Sequence, residues 1–240
     1  AMAVLRTRFD TESDTEKPLF LLVAAAFPGV FVNLSHGQNG FLAAGLMAMG
    51  LALLDRKPLA AGLCFGLLAF KPQLGLLIPF ALGADGRWKS FTAAAATVAV
   101  LVLTSVMAFG IESWRGFLGA MTFSRQAVLD HDGVGYAKMI SVFAAARLWH
   151  APLALAYGVQ AIAAVTAILW VMRLWRSSAD IRLKGAALCL GTLLVTPFAL
   201  DYDLMLLAPA LALIAAYGRK QGVAPFALSL LTFLLAMPLL

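Results

Sequence analysis

From Pro18 to Leu54 the chain carries no formal charge, and the main break in that run is His36-Gly37-Gln38-Asn39-Gly40. The apolar stretches on either side, Pro18 to Leu34 and Phe41 to Leu54, would otherwise read as one. A helix buried in a soluble core needs no such interruption, so the break reads as the tight polar turn of a membrane hairpin. Its histidine, two amides and two glycines place donors and acceptors where backbone can approach a ligand closely. It is the first candidate for a binding site.

Composition agrees with a membrane setting. Hydrophobic residues make up 62% of the chain and charged residues 12%, against roughly a quarter charged in soluble domains. The net charge of +6 comes from Lys and Arg scattered over short connectors, with no basic run and no aromatic-basic platform, so nucleic acid is not an expected partner. Cys64 and Cys189 fall inside apolar stretches and read as small hydrophobes that pack closely. The stub Ala1 to Leu5 lacks the basic start of a signal peptide and reads as the tail of a severed span in a longer protein.

A helix crosses the hydrocarbon with roughly 20 apolar residues, fewer where the bilayer thins. That measure gives an all-α polytopic bundle of nine segments: 18–35, 40–54, 58–70, 72–84, 90–110, 151–172, 183–199, 202–217 and 223–240. The stretch 58–84 reads either as one helix kinked at Pro72 or as two helices turning at Lys71-Pro72-Gln73. Cytoplasmic connectors collect Lys and Arg. A turn at Lys71 divides the basic residues 13 against 5, whereas a single helix divides them 9 against 8. The turn is therefore expected, and the side holding 13 is the cytoplasm.

With that sidedness, His36, His131, His150, the Gly-Gln-Asn-Gly turn, Lys71, Gln73, Asp130, Asp132, Asp201 and Asp203 all fall on the non-cytoplasmic face. The chain divides into a connector (1–17), a first helical block (18–110), an outer loop (111–150) and a second block (151–240). In the loop, Ile111, Trp114, Phe117, Leu118 and Met121 recur at helical spacing, and so do Met139, Ile140, Phe143 and Leu148. Two amphipathic helices in the outer interface are expected there. Gly62 and Gly66 have the spacing of a close helix contact.

The helices beginning at Asn39, Pro72, Pro152 and Asp201 turn their positive ends outward, which favours phosphate. Lys71 is either a phosphate ligand there, whose replacement by alanine would spare the fold, or a snorkelling C-terminal cap. Asp201-Tyr202-Asp203 resembles the metal-binding Asp-x-Asp of soluble nucleotide-sugar transferases, but it falls on the face where nucleotide sugars are not supplied. Asp201 reads alternatively as a helix N-cap. Asp130, His131 and Asp132 lack the further ligands of a metal site, and no metal or cofactor is expected.

Four stretches in order, FPGVFVNLSHGQNGFL (27–42), LLAFKPQLGLLIPFAL (67–82), KMISVFAAARL (138–148) and TPFALDYDLMLLAPAL (196–211), resemble glycosyltransferase family 87. The resemblance implies a polytopic mannosyltransferase-like enzyme of the GT-C class in a bacterial cytoplasmic membrane. It would take a polyprenyl-phosphate sugar and transfer the hexose, with inversion, to a lipid-linked or envelope glycan outside the cytoplasm. On that reading His36, Gln38, Asn39, Lys71 and Gln73 bind the donor's sugar and phosphate, and His131, Asp201 and Asp203 orient the acceptor. The general base of the class lies in a first outer loop, upstream of residue 1, so no catalytic base is assigned. A transporter or lipid flippase is the rival reading; it would place ionisable groups near the midplane, often in paired repeats.

Overall fold

The structure is a computed structural model that describes residues 25–222 together with residues 229, 233 and 234. The connector 1–17, the start of segment 18–35 and nearly all of segment 223–240 lie outside those residues. Among the described residues the chain is helical, with one isolated β-bridge between Met139 and Leu200.

Helices α1 (Pro28–His36) and α2 (Gly40–Leu53) flank the first polar turn. Next come α3 (Pro58–Leu67), a 3-10 turn over Leu68–Phe70, α4 (Pro72–Gly75) and α5 (Ile78–Ala84). The long α6 (Trp88–Phe109) and α7 (Ile111–Arg125) lead through a π-turn, Gln126–Asp130, and a 3-10 turn, Tyr136–Lys138, to α8 (Val142–Leu148). Helices α9 (Leu153–Arg176) and α10 (Ile181–Val195), a 3-10 helix over Asp201–Leu206 and α11 (Leu207–Gln221) complete the bundle.

The all-α expectation holds among the described residues, whereas nine membrane segments are not confirmed. Among the described residues three helices are long and apolar enough to cross a bilayer: Trp88–Phe109, Leu153–Arg176 and Asp201–Gln221. Gly40–Leu53, Pro58–Phe70 and Pro72–Ala84 are shorter apolar helices. Proline is the physical reason for two of these starts. It disfavours helical backbone in the residue before it, and both Lys57 (φ −138°, ψ 70°) and Lys71 (φ −127°, ψ 75°) leave the helical region just ahead of Pro58 and Pro72.

The break at Lys71 reverses the chain. A single helix over 58–84 would put its ends about 40 Å apart, yet Arg87 Nη1 lies 2.6 Å from Asp55 Oδ1. Asp85 joins the same cluster, accepting from Arg87 Nε at 2.7 Å and from Lys184 Nζ at 2.7 Å. Burial alone would lower the Arg87 pKa, but the hydrogen bonds it donates to Asp85 and Asp55, with their negative charges, outweigh it and hold the guanidinium above its ordinary value.

Met47, Leu51, Leu54, Phe65, Leu68, Leu74, Leu77, Leu82, Trp175, Leu188, Leu206 and Leu207 form the centre of the core. Gly62 and Gly66 carry the close contact that their spacing predicts. A Cβ on Gly62 would overlap Ser90 O and Ala93 Cβ, and one on Gly66 would lie 2.7 Å from Ala94 O. The pair therefore lets α3 and α6 meet backbone to backbone. Along the rest of α6, Val100, Leu103, Met107 and Phe109 are exposed, which suits a lipid-facing helix.

Only the first of the two amphipathic stretches in the loop 111–150 forms an exposed helix. Helix α7 buries no residue, and Ile111, Phe117, Leu118 and Met121 are all exposed. The second stretch is split. Met139 is extended, with the N–H of the next residue, Ile140, donating to Ala199 O at 3.0 Å, and Phe143 is fully buried in a small core with Leu129, Tyr136, Met139, Ala144 and Ala156. Gln160 secures this unit. Its Oε1 accepts from Phe143 N at 3.0 Å and its Nε2 donates to Leu194 O at 2.9 Å.

Candidate active site

Asn33 is where the first polar turn meets the rest of the chain. It is a buried amide on a mostly apolar helix, so its polar atoms must find partners inside the protein. Nδ2 donates to Gly29 O at 2.9 Å and to Tyr202 O at 2.8 Å, while Oδ1 accepts from Gly40 N at 2.9 Å. One side chain thus joins α1, the start of α2 and the 3-10 helix at Asp201–Leu206. Gly37, in the left-handed region at φ 60°, ends α1 and lets the chain turn toward α2.

Lys71 enters from the second turn. Its Nζ donates to Asp203 Oδ1 at 2.7 Å and stands 4.6 Å from the centre of the Tyr202 ring. Both charged side chains are enclosed, at 11% and 1% exposure. The other oxygen of Asp203 accepts from Leu200 N at 3.2 Å. It is therefore Asp203, rather than Asp201, that reaches back to satisfy the start of this helix. Asp201 Oδ1 accepts from Tyr202 N at 2.7 Å, and its Oδ2 lies 3.9 Å from His36 Nε2.

Of the residues singled out from sequence, His36, Lys71, Asp201 and Asp203 meet around Tyr202. Gln38 and Asn39 are exposed on the adjoining turn, and half-buried Gln73 follows Lys71 by two residues. His131 stands in a second polar group on the outer loop, where its Nδ1 is 2.9 Å from Gln126 O. There Tyr157 donates to Asp130 Oδ1 at 2.6 Å, and Tyr136 donates to Leu129 O at 2.6 Å. The bridge from Met139 to Leu200 ties that loop to the residue next to Asp201. Sequence reasoning missed Asn33 and Tyr202; the usable signal for Asn33 was a lone amide inside the apolar stretch Pro18 to Leu34. Among the described residues no three His, Cys, Asp or Glu side chains gather as a metal site would require.

A model of glycosyltransferase family 87 matches residues 1–197. The chain belongs to glycosyltransferase family 87. The first two polar turns of this family 87 chain lie within the match, whereas Asp201-Tyr202-Asp203 lies beyond it and is joined to the same site by the contacts of Asn33 and Lys71. No curated protein and no solved structure is found to match the chain.

The family 87 bundle has a different chemistry at its other end. Helix α2 starts beside Asn33 and runs about 20 Å to the connector holding Asp55. That connector carries the ion cluster Asp55, Asp85, Arg87 and Lys184. Lys184 is buried, and its Nζ also donates to Trp175 O at 2.9 Å, so it holds connectors together as well as adding a positive charge. The chain thus has a self-compensated charge cluster at one end and, at the other, exposed imidazole and amide groups and a half-buried carboxylate around a buried ion pair.

Proposed function

We propose that this family 87 glycosyltransferase moves a hexose, namely mannose, from a polyprenyl-phosphate donor to a lipid-linked or cell-envelope glycan. Transfer takes place on the non-cytoplasmic face of the bacterial cytoplasmic membrane and proceeds by single displacement with inversion. The observation that carries this reading is the convergence of three polar turns, separated widely in sequence, at one end of an apolar bundle whose basic connectors favour the other side as cytoplasmic. Gln38, Asn39 and Gln73 are the amides available to sugar hydroxyls and phosphate oxygens. His36 and Asp201 face the acceptor, and His131 borders its approach along the outer loop.

Lys71 has a different role from the phosphate ligand that its sequence position suggests. Its charge is already met by Asp203, and breaking that pair to bind phosphate would strand a buried carboxylate. The pair acts by holding Tyr202 and Asp201 in place. The exposed apolar face of α7 follows directly on the 22-residue helix α6, a length that spans the hydrocarbon. It therefore lies at headgroup depth, where it borders the route of the prenyl chain.

Membranes containing the full-length enzyme, incubated with labelled polyprenyl-phosphate mannose, test this. Label passing into a glycan is expected. Label that only crosses the bilayer, still attached to the lipid, would make the protein a flippase and overturn the reading.

A further inference from the structure

The 3-10 helix leaves one hydroxyl of the site without a task inside the fold. Such a helix makes a turn every three residues, so Asp201, Tyr202 and Asp203 point in three directions. Asp203 faces inward at 1% exposure, whereas Asp201 and Tyr202 are half-buried. We propose that Tyr202 is a substrate-binding residue, whose hydroxyl joins the carboxylate of Asp201 in a subsite for a neutral hexose, the donor's or the acceptor's, rather than for phosphate. The proposal rests on the transferase reading above.

The tyrosines of the outer side divide by use. Tyr136 donates to Leu129 O and Tyr157 to Asp130 Oδ1, both at 2.6 Å, so those two hydroxyls serve the loop. The Tyr202 hydroxyl has no hydrogen-bond partner among the described residues, and it is not one of the two buried side-chain atoms left without one, Arg182 Nε and Thr192 Oγ1. It therefore opens outward, where a ligand can reach it. What fixes Tyr202 is the rest of the residue. Its N–H donates to Asp201 Oδ1 at 2.7 Å, its carbonyl accepts from Asn33 Nδ2 at 2.8 Å, and its ring centre lies 4.6 Å from Lys71 Nζ. The hydroxyl is thus held in place before a ligand arrives, which lowers the ordering cost of binding.

Charge decides which ligand fits. Lys71 and Asp203 meet at 2.7 Å and cancel. Among the described residues no Lys or Arg pairs with Asp201, and its Oδ2 lies 3.9 Å from His36 Nε2, beyond a hydrogen bond. A carboxylate without a cation repels phosphate. A sugar hydroxyl, by contrast, donates to the carboxylate, and another accepts from the phenol of the next residue. The exposed amides of Gln38 and Asn39 on the adjoining turn carry no charge and suit the same ligand.

Tyr202→Phe removes the hydroxyl and nothing that fixes the residue, so its apparent melting temperature in detergent should equal that of the wild type. Transfer from labelled polyprenyl-phosphate mannose to membrane glycan is measured for the full-length enzyme in membranes, together with binding of that donor and inhibition by polyprenyl phosphate lacking the sugar. The variant is expected to lose about 2–10-fold in transfer, the contribution of one neutral hydrogen bond, with inhibition by polyprenyl phosphate unchanged. Unchanged donor binding then assigns the subsite to the acceptor's sugar, and donor binding weakened by the same factor assigns it to the donor's hexose. With an active wild type, unchanged transfer by the variant, weaker inhibition by polyprenyl phosphate or a lowered melting temperature overturns this proposal alone. A wild type that moves no label into glycan overturns the transferase reading and this proposal with it.

Discussion

Replacing Lys71 with methionine is expected to cost about 3–5 kcal/mol of stability, the usual penalty for removing one partner of a buried ion pair. The reason lies in what remains. Asp203 is 1% exposed, and without Lys71 Nζ at 2.7 Å its Oδ1 would keep a charge with neither water nor a cation to meet it. Read from sequence, Lys71 is either a phosphate ligand whose loss spares the fold or a snorkelling helix cap; the buried partner leads to the opposite expectation for the fold. The double variant Lys71→Met with Asp203→Leu removes both charges at similar volume, a change that is often neutral or stabilising. It should recover the apparent melting temperature in detergent and retain transfer. A folded double variant devoid of transfer would show that the amine itself touches the donor.

Gly40→Ala should be nearly as damaging, for steric reasons. A Cβ at this position would overlap Asn33 Oδ1 and lie 2.7 Å from Tyr202 O. Neither can give way cheaply, because Tyr202 O is backbone and Asn33 is held by three hydrogen bonds. Overpacking of this kind costs about 1–3 kcal/mol, and each buried bond of Asn33 lost in the adjustment adds about 1–3 kcal/mol. Gly75→Ala is the control. It adds a Cβ with nothing within 4 Å and should be neutral or slightly stabilising, since alanine is the better helix former. Comparing the folded fraction of the two variants by gel filtration in detergent checks this, and equal yields would mean that Asn33 does not hold the turns together.

The local features were legible in sequence for local reasons. Proline dictates the backbone of the residue before it, so the turn at Lys71 followed from Lys71-Pro72 and the distribution of basic residues. The spacing of Gly62 and Gly66 marked a contact that the backbone of α6 then fills. Partner choice was not legible. Lys71 and Asp203 are far apart in sequence, and the family resemblance points each to a separate task, one toward the donor and one toward the acceptor. Nothing in either local pattern says that each would neutralise the other. Asn33 was absorbed into an apolar run because periodicity weighs only average hydropathy, although a buried amide always needs partners. Lys184 read as a plain topological anchor, yet it is buried against Asp85 and Trp175. The count of nine segments is not confirmed for a related reason: runs such as 183–199 are apolar enough to suggest a span, but the helix there, Ile181–Val195, is only 15 residues long.

The sidedness of the polar end is what the functional account depends on, and thiol labelling reads it directly. In a full-length enzyme with Cys64 and Cys189 replaced by alanine, Gln38→Cys is exposed to a membrane-impermeant maleimide in sealed right-side-out vesicles, with and without polyprenyl-phosphate mannose. The account predicts that Gln38→Cys is labelled from outside and that the donor slows the labelling. Labelling only after the vesicles are opened, or at a rate that the donor does not change, would contradict it.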